Sequence, residues 1–180
     1  FNPLTLALGA GATFIARTID KESKHMQEMI TESYNHKGTS FLEIYQNCNI
    51  FNDGAFSNFT DRDTKSDTVL WLKDGEPMVF GADNNKGIRL DGNIPTVVEL
   101  GDKWNKDDLL VHNKKDYMIA SMLSNMTSKP DTPEPIGVLY AIDAPTYEDN
   151  IASQISSAVK NKPKSSIQDI INSGDTWVVK

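Results

Sequence analysis

The residue best suited to chemistry in this sequence is Cys48, the single cysteine among 180 residues. It follows the apolar segment 40–46, which predicts a strand, and ligands of open parallel sheets bind outside the carboxyl ends of the strands. A lone cysteine is more often a small buried hydrophobe, so a packing role stays the alternative. The neighbouring residues are turn formers that expose backbone amides: Asn47, Asn49, Asn52, Asp53 and Gly54. Such amides can donate hydrogen bonds to an anion or to the sulfurs of a metal cluster, in which Cys48 would supply one ligand among several.

No other residue type forms a recognisable site. The three histidines, His25, His36 and His112, lack the mutual spacing of zinc ligands, and no catalytic triad can be assembled from them and one cysteine. The glycines of residues 9–11 suggest a dinucleotide-binding turn, but they follow a predicted helix and precede a strand, which reverses the required order. Motifs alone therefore assign no catalytic residue and no cofactor-binding residue.

Composition bounds the class of protein. Hydrophobic residues make up 38% and charged residues 24% of the chain, which is typical of one soluble folded domain. The net charge of −7 and the pI near 4.9 argue against nucleic acid or an anionic membrane as the main partner. The apolar stretch over residues 4–14 is too short to span a bilayer. The single cysteine fits a reducing compartment, so we expect a cytoplasmic protein with no membrane segment.

The elements that must position Cys48 form a predicted βαβ unit. Residues 13–18 and 40–46 each predict a strand. Between them, Asp20 is expected to cap a helix that stops before Gly38. This order within a short stretch of chain predicts two parallel strands joined by a right-handed crossover.

The rest of the chain predicts further α/β structure with a different middle. Residues 66–101 predict a small antiparallel insertion, with one hairpin at Asp74-Gly75 and short strands on either side of Gly92. The remaining predicted elements are helices over residues 2–9, 115–126, 146–158 and 167–171, and a buried strand over residues 136–142. Together they predict a single α/β domain over residues 1–180, with a mainly parallel sheet and flanking helices.

Segments that occur in order along the chain resemble one known family. They are NPLTLALGAGATFIAR, KGTSFLEIYQNCNIFNDGAF, MVFG, KGI, LLVHN and PIGVLYAI. Together they are similar to the C-terminal part of the beta subunit of 2-oxoacid:ferredoxin oxidoreductases, and most of all to the 2-oxoglutarate type. The resemblance covers essentially the whole chain and is densest over residues 2–56. It implies the C-terminal part of a thiamine diphosphate-binding fold.

The resemblance also implies an activity, cofactors and partners. Enzymes of this family cleave a 2-oxoacid with thiamine diphosphate and Mg²⁺, release CO₂, transfer the acyl group to coenzyme A and pass electrons through an iron–sulfur cluster to ferredoxin. The beta subunit works with an alpha subunit. In members whose beta subunit holds a 4Fe–4S cluster, three cysteines come from the N-terminal half and the fourth lies in a Cys-x-x-Phe-Asn segment. The matching residue is Cys48, the candidate fourth cluster ligand.

The departures from the family pattern concern the other cofactor residues. The family's thiamine diphosphate motif is Gly-Asp-Gly followed by paired asparagines, and this chain has Asn52-Asp53-Gly54 and later Asn84-Asn85. An asparagine thus stands in place of the first glycine, and no phosphate-binding turn opens a helix there. We therefore expect the thiamine diphosphate site and the other three cluster cysteines to lie outside this chain, and its first residue to mark a cut within a longer subunit.

Three functional hypotheses stay open at this point. In the first, the chain is one part of an oxidoreductase beta subunit and is inactive without the rest of the enzyme. In the second, the chain is a non-enzymatic module that docks onto an alpha subunit. The third is the same enzyme class with another substrate, such as pyruvate. A partial domain should also leave apolar sheet surface that the missing half or a neighbouring subunit would cover.

Overall fold

The computed structural model describes residues 1–126, 131–162 and 165–179. Its contacts group into two units, residues 1–144 and 145–180. The first unit contains two β-sheets with helices and carries Cys48, whereas the described part of the second unit is helical with an extended end. No helix among the described residues is both long and apolar enough to cross a membrane. The expectation of one domain over the whole chain stays a prediction.

The predicted βαβ unit is confirmed. Strand β1 spans Phe14–Ile19, helix α2 spans Ser23–Asn35, and strand β2 spans Ser40–Tyr45. The two strands are parallel and pair without a shift along their whole length. A short helix, α1 (Pro3–Gly9), precedes them, and Asn2 caps it by accepting two backbone N–H bonds in its first turn.

Asp20 does not cap helix α2, which corrects the expectation from sequence. The helix begins at Ser23, and its N-cap residue Glu22 makes no side-chain capping bond. Asp20 lies instead at the end of β1, where its Oδ2 accepts the backbone N–H of Asn47 at 3.4 Å. Because parallel strands end at the same edge of a sheet, the carboxylate at the end of one strand meets the loop that follows the other.

The larger sheet is mixed and also contains strand β3, which spans Val69–Trp71, and strand β7, which spans Glu134–Ala141. Its strand order is β2-β1-β7-β3. The pairs β1–β2 and β3–β7 are parallel, whereas β1 and β7 are antiparallel. Parallel pairing thus predominates, as predicted, and all six side chains of β1 are buried because it lies inside the sheet.

The smaller sheet is antiparallel and lies in the middle of the chain. It contains β4 (Val79–Phe80), β5 (Lys86–Asp91) and β6 (Ile94–Glu99), and the last two form a hairpin. The hairpin predicted at Asp74-Gly75 is wrong, because β3 joins the larger sheet and β4 pairs with β5. The first two side chains of β3, Val69 and Leu70, are buried, at 1% and 0% exposed.

Helices cover both faces of the larger sheet. Successive side chains of a strand point to opposite faces, so Ile15 packs with Leu4 of α1 and Leu123 of α5 (Tyr117–Ser124), whereas Phe14 packs with Met29 of α2. The remaining elements of this unit are α3 (Ser57–Thr60), α4 (Lys65–Thr68) and a 3₁₀-helix (Lys106–Asp108).

The second unit contains α6 (Tyr147–Asn161) and α7 (Ile167–Ile171). The predicted capping box at the start of α6 is confirmed, since Thr146 and Asp149 each accept the other's backbone N–H. No residue of either helix is classed as buried.

A buried charge network ties three strands of the larger sheet together. Arg17 of β1 is 1% exposed, and its Nε donates to Glu43 of β2 at 2.6 Å. Its guanidinium also contacts Oε1 of Glu134 in β7, and the Tyr45 hydroxyl donates to that same oxygen at 2.9 Å. Burial raises the pKa of the Tyr45 phenol, so the hydroxyl stays a donor. A buried guanidinium with no carboxylate partner would be strongly destabilising, so the network couples the strands.

Removing the buried carboxylate should cost much more stability than removing the hydroxyl beside it. We expect Glu134→Ala to lower the free energy of unfolding by about 3 kcal/mol, because it removes the more deeply buried of the two carboxylates that pair with Arg17 and leaves only Glu43. Tyr45→Phe should cost only about 1 kcal/mol, since it removes one neutral donor. Urea denaturation of the two variants measures both values. Equal losses would contradict a network organised by the guanidinium.

His112 is a buried structural histidine of the first unit. It is 1% exposed, and its Nε2 lies 2.8 Å from the carbonyl oxygen of Val138. A carbonyl only accepts, so Nε2 carries a proton and donates it to this bond. Burial lowers the pKa of His112 below its ordinary value. The folded state therefore binds the second ring proton less readily than the unfolded state does.

The free energy of unfolding should decrease as the pH falls through the range in which histidine becomes protonated. The unfolded pKa of histidine is about 6.5, so the contribution of neutral His112 is complete above that pH and is lost progressively below it. We expect the free energy of unfolding to fall between about pH 7 and about pH 5, and less steeply in His112→Gln, whose amide can still donate to Val138. Urea titrations over this range test it. Identical slopes in both proteins would show that other groups cause the decline.

Candidate functional site

Cys48 lies in the loop that follows β2, which we call the Cys48 loop and define as residues 46–54. The side chain is exposed on this chain, so Cys48 is not part of its hydrophobic core. A single antiparallel bridge closes the loop, because the backbone N–H of Asn52 donates to the carbonyl of Cys48 at 3.0 Å. The sequence placed this residue correctly at the carboxyl end of the second strand.

Backbone amides of the Cys48 loop favour the thiolate form of Cys48. The N–H groups of Phe51 and then Ile50 lower the pKa of the Cys48 thiol by hydrogen bonding to it. Burial raises the pKa by less than either of these amides lowers it, and Asn52 lowers it by still less. Because the thiolate is the form that binds metals and reacts with electrophiles, this environment favours the chemically useful state.

The side chain of Asn47 holds the Cys48 loop together. Its Nδ2 donates to Oδ1 of Asn49 at 2.7 Å and to Oδ1 of Asp53 at 2.9 Å. Its Oδ1 accepts the backbone N–H of Gly54 at 2.9 Å. A backbone N–H can only donate, which fixes the amide orientation of Asn47. The bonds to Asp53 and Gly54 thus connect the two ends of the loop, and the bond to Asn49 lies within its first turn.

An aromatic stack anchors the loop to the buried charge network. The Tyr45 ring lies parallel to that of Phe56, with centroids 4.3 Å apart, and 6.2 Å from that of Phe59. The same Tyr45 lies under the Arg17 guanidinium and bonds to Glu134. The residues before and after the Cys48 loop are therefore fixed to the interior, while the sulfur itself stays exposed.

A small cleft of about 190 Å³ lies beside the loop, and its carboxylates were not predicted from the sequence. Asp20, Asp53 and Asp61 line it together with Lys21. Oδ1 of Asp20 is buried there and has no hydrogen-bond partner. Because Asp20 follows β1, the rule that adjacent parallel strands end side by side could have placed it beside the Cys48 loop.

The residues of this chain do not form a complete metal or diphosphate site. Among the described residues, no group of three or more His, Cys, Asp or Glu side chains could hold a metal ion. The Asn52-Asp53-Gly54 segment does not fit a diphosphate, because Asn47 already binds both the Asp53 carboxylate and the Gly54 amide. The helix that follows, α3, has only four residues. One exposed cysteine fits a cluster only as a single ligand.

Apolar side chains are exposed near the Cys48 loop. Ile50 and Phe51 are 84% and 89% exposed, and Ile44 of the edge strand β2 is 40% exposed. Such exposed apolar side chains agree with the expectation that another half of the subunit, or a neighbouring subunit, covers this surface.

Comparison with known proteins identifies relatives of the chain. No protein-family model matches the chain. It is 32% identical over 183 residues to 2-oxoglutarate oxidoreductase subunit KorB of Mycobacterium tuberculosis, a match that covers 99% of this chain and 48% of that protein. The chain is a homologue of the beta subunits of 2-oxoacid:ferredoxin oxidoreductases. The family resemblance stated from sequence is therefore confirmed, and its homologues are subunits of oxidoreductase enzymes.

Further comparisons agree with this family. The chain is 26% identical over 163 residues to the 2-oxoacid:ferredoxin oxidoreductase subunit beta of Saccharolobus solfataricus, which covers 90% of this chain and 43% of that protein. A solved structure of the 2-oxoglutarate:ferredoxin oxidoreductase of Magnetococcus marinus, with 2-oxoglutarate, coenzyme A and succinyl-CoA bound, matches with a TM-score of 0.60 and 21% identity. That match covers 98% of this chain and 45% of the solved one, and it shows the fold alone. The chain thus spans about half the length of the beta subunits that it matches.

The Cys48 thiol should react as a thiolate at lower pH than an ordinary cysteine. The amides of Phe51 and Ile50 lower its pKa, so the rate of alkylation by iodoacetamide should rise with a midpoint at a lower pH than in the unfolded chain. Since the chain has one cysteine, the rate reports this residue alone. The same chain unfolded in urea is the matched control. A midpoint equal to that of the unfolded chain would contradict the amide environment.

Proposed function

We propose that this chain is the C-terminal part of the beta subunit of a cytoplasmic 2-oxoacid:ferredoxin oxidoreductase of the 2-oxoglutarate type. The reaction is the coenzyme A-dependent oxidative decarboxylation of the 2-oxoacid to acyl-CoA and CO₂, with two electrons passed to ferredoxin. The observation that carries the proposal is the exposed Cys48 at the carboxyl end of β2, in a chain homologous to these subunits over almost its whole length.

Within this proposal, Cys48 is the fourth ligand of a 4Fe–4S cluster. Its exposure leaves the sulfur free to meet ligands from outside the chain, and its lowered pKa favours the thiolate that iron requires. Such a cluster, when bound, accepts and releases one electron at a time. The amides of Ile50 and Phe51 would then stabilise the sulfur charge, and the other three cysteines would come from outside the chain.

The remaining parts of the active site belong, in this proposal, to other segments. Thiamine diphosphate with Mg²⁺ and its motif lie outside the chain, because Asn47 already occupies the groups that superficially match the motif. The 2-oxoacid and coenzyme A are the substrates, and an alpha subunit and ferredoxin are the protein partners. The exposed Ile50 and Phe51 offer this chain's contact to the neighbouring polypeptide.

Substitution of Cys48 in the complete enzyme should remove the cluster. We expect Cys48→Ser in the full-length beta subunit, purified without oxygen together with its alpha subunit, to lower iron and sulfide content and to reduce ferredoxin reduction with 2-oxoglutarate by at least about 100-fold. Even a residue that only orients a metal ligand changes affinity or activity by about 10- to 100-fold, and a direct ligand should matter at least as much. Iron analysis, EPR spectroscopy and a ferredoxin reduction assay measure the effects.

Ala55→Ser is the matched control, because it adds a hydroxyl to an exposed position beside the same loop. It should retain both cluster and activity. Unchanged iron content in Cys48→Ser would exclude Cys48 as a ligand. A wild-type complex without iron or 2-oxoacid oxidation would favour the non-enzymatic docking module instead, and faster turnover with pyruvate would replace 2-oxoglutarate as the substrate.

A further inference from the structure

We infer that Asn47 is a positioning residue that holds the Cys48 loop closed, and that it thereby sets the reduction potential of the cluster to which Cys48 belongs. The second part rests on the proposed function. The first part concerns only this chain, so the two can fail separately.

The geometry of the Asn47 side chain supports the inference. Its three hydrogen bonds reach Asn49, Asp53 and Gly54, which lie two, six and seven residues further along the chain. Two of these bonds close the loop around Cys48, and the third fixes its first turn. Apart from them, the loop is closed by the backbone bond from Asn52 to Cys48.

Asn47 is itself fixed at the end of the larger sheet. Its backbone N–H donates to Asp20, which ends the neighbouring parallel strand, and its residue is half-buried in an otherwise exposed loop. Asn47 therefore connects the edge of the sheet to the exposed remainder of the loop. Neither Asn49 nor Asp53 has such an anchor, because both are exposed.

The consequence for a bound cluster follows from the backbone amides that Asn47 holds in place. Ile50 and Phe51 lie between Cys48 and its bridge partner Asn52, inside the segment that Asn47 closes, so the closed loop sets where their N–H groups lie relative to the sulfur. Hydrogen bonds to cluster sulfurs stabilise the reduced, more negative state and raise the reduction potential. Opening the loop should therefore shift the potential to a more negative value, even where the cluster is still bound.

The first test uses the 180-residue chain and no cofactor. Asn47→Ala should speed amide hydrogen exchange of Asn52 by roughly tenfold or more, as expected for the loss of several hydrogen bonds. The amide of Asn52 is the decisive probe because it bonds to Cys48 and not to Asn47. Asn150→Ala, on the exposed surface of α6, is the control and should leave this exchange unchanged.

A double substitution that swaps the residue types at positions 47 and 53 should restore the closed loop. Asn47→Asp alone keeps the acceptor for Gly54 but places a carboxylate against Asp53, so it should also speed Asn52 exchange. Adding Asp53→Asn restores a donor–acceptor pair in the reverse direction and should recover most of the protection. A general loss of stability would not be reversed in this way.

The second test measures the reduction potential of the cluster in the complete enzyme by EPR-monitored titration. Asn47→Ala should retain iron and shift the potential to a more negative value, and the paired variant should shift it back. Unchanged Asn52 exchange in Asn47→Ala would overturn the positioning role itself. Faster exchange with an unchanged potential would overturn the link to the cluster, and intact iron in Cys48→Ser would then place the failure in the proposed ligand.

Discussion

The buried guanidinium of Arg17 is the constraint on which the rest of the larger sheet depends. A charge that is 1% exposed must be matched by carboxylates, and these come from Glu43 on one neighbouring strand and Glu134 on the other. The need for these two carboxylates also constrains the register of the strands, because a shift of one residue would turn a partner to the opposite face of the sheet. The antiparallel β7 strand is thus joined to the parallel βαβ unit by charge as well as by its backbone.

The same constraint extends to the Cys48 loop through Tyr45. Its hydroxyl bonds to Glu134 and its ring stacks on Phe56, so the segments before and after the loop are held by the interior. Asn47 then holds the Cys48 loop between these two segments closed. The result is an exposed thiol on a well-supported loop. An ordered exposed ligand suits a site completed by other polypeptide segments, because little conformational freedom is left to lose when they meet.

Local features of the fold could be predicted from sequence, and long-range ones could not. The βαβ unit and the Thr146 capping box depend on residues close together in the chain, and both predictions are confirmed. The hairpin at Asp74-Gly75 failed because β3 pairs with a strand more than 60 residues away, so a turn signal between adjacent apolar runs was overridden. The partners of Arg17 lie 26 and 117 residues from it, and no spacing rule links such positions.

The sequence alone indicates the resemblance to oxidoreductase beta subunits, the order of the local elements and the place of Cys48 just after the second strand. The three-dimensional structure is needed to show that the sulfur is exposed, that Asp20 bonds to the end of the sheet and does not cap a helix, and that Asn47 closes the loop. The difference lies in how far apart in the sequence the interacting residues are. Helices, caps and turns follow from interactions among a few consecutive residues, whereas burial, strand order and side-chain partners depend on which distant segments the whole chain brings together.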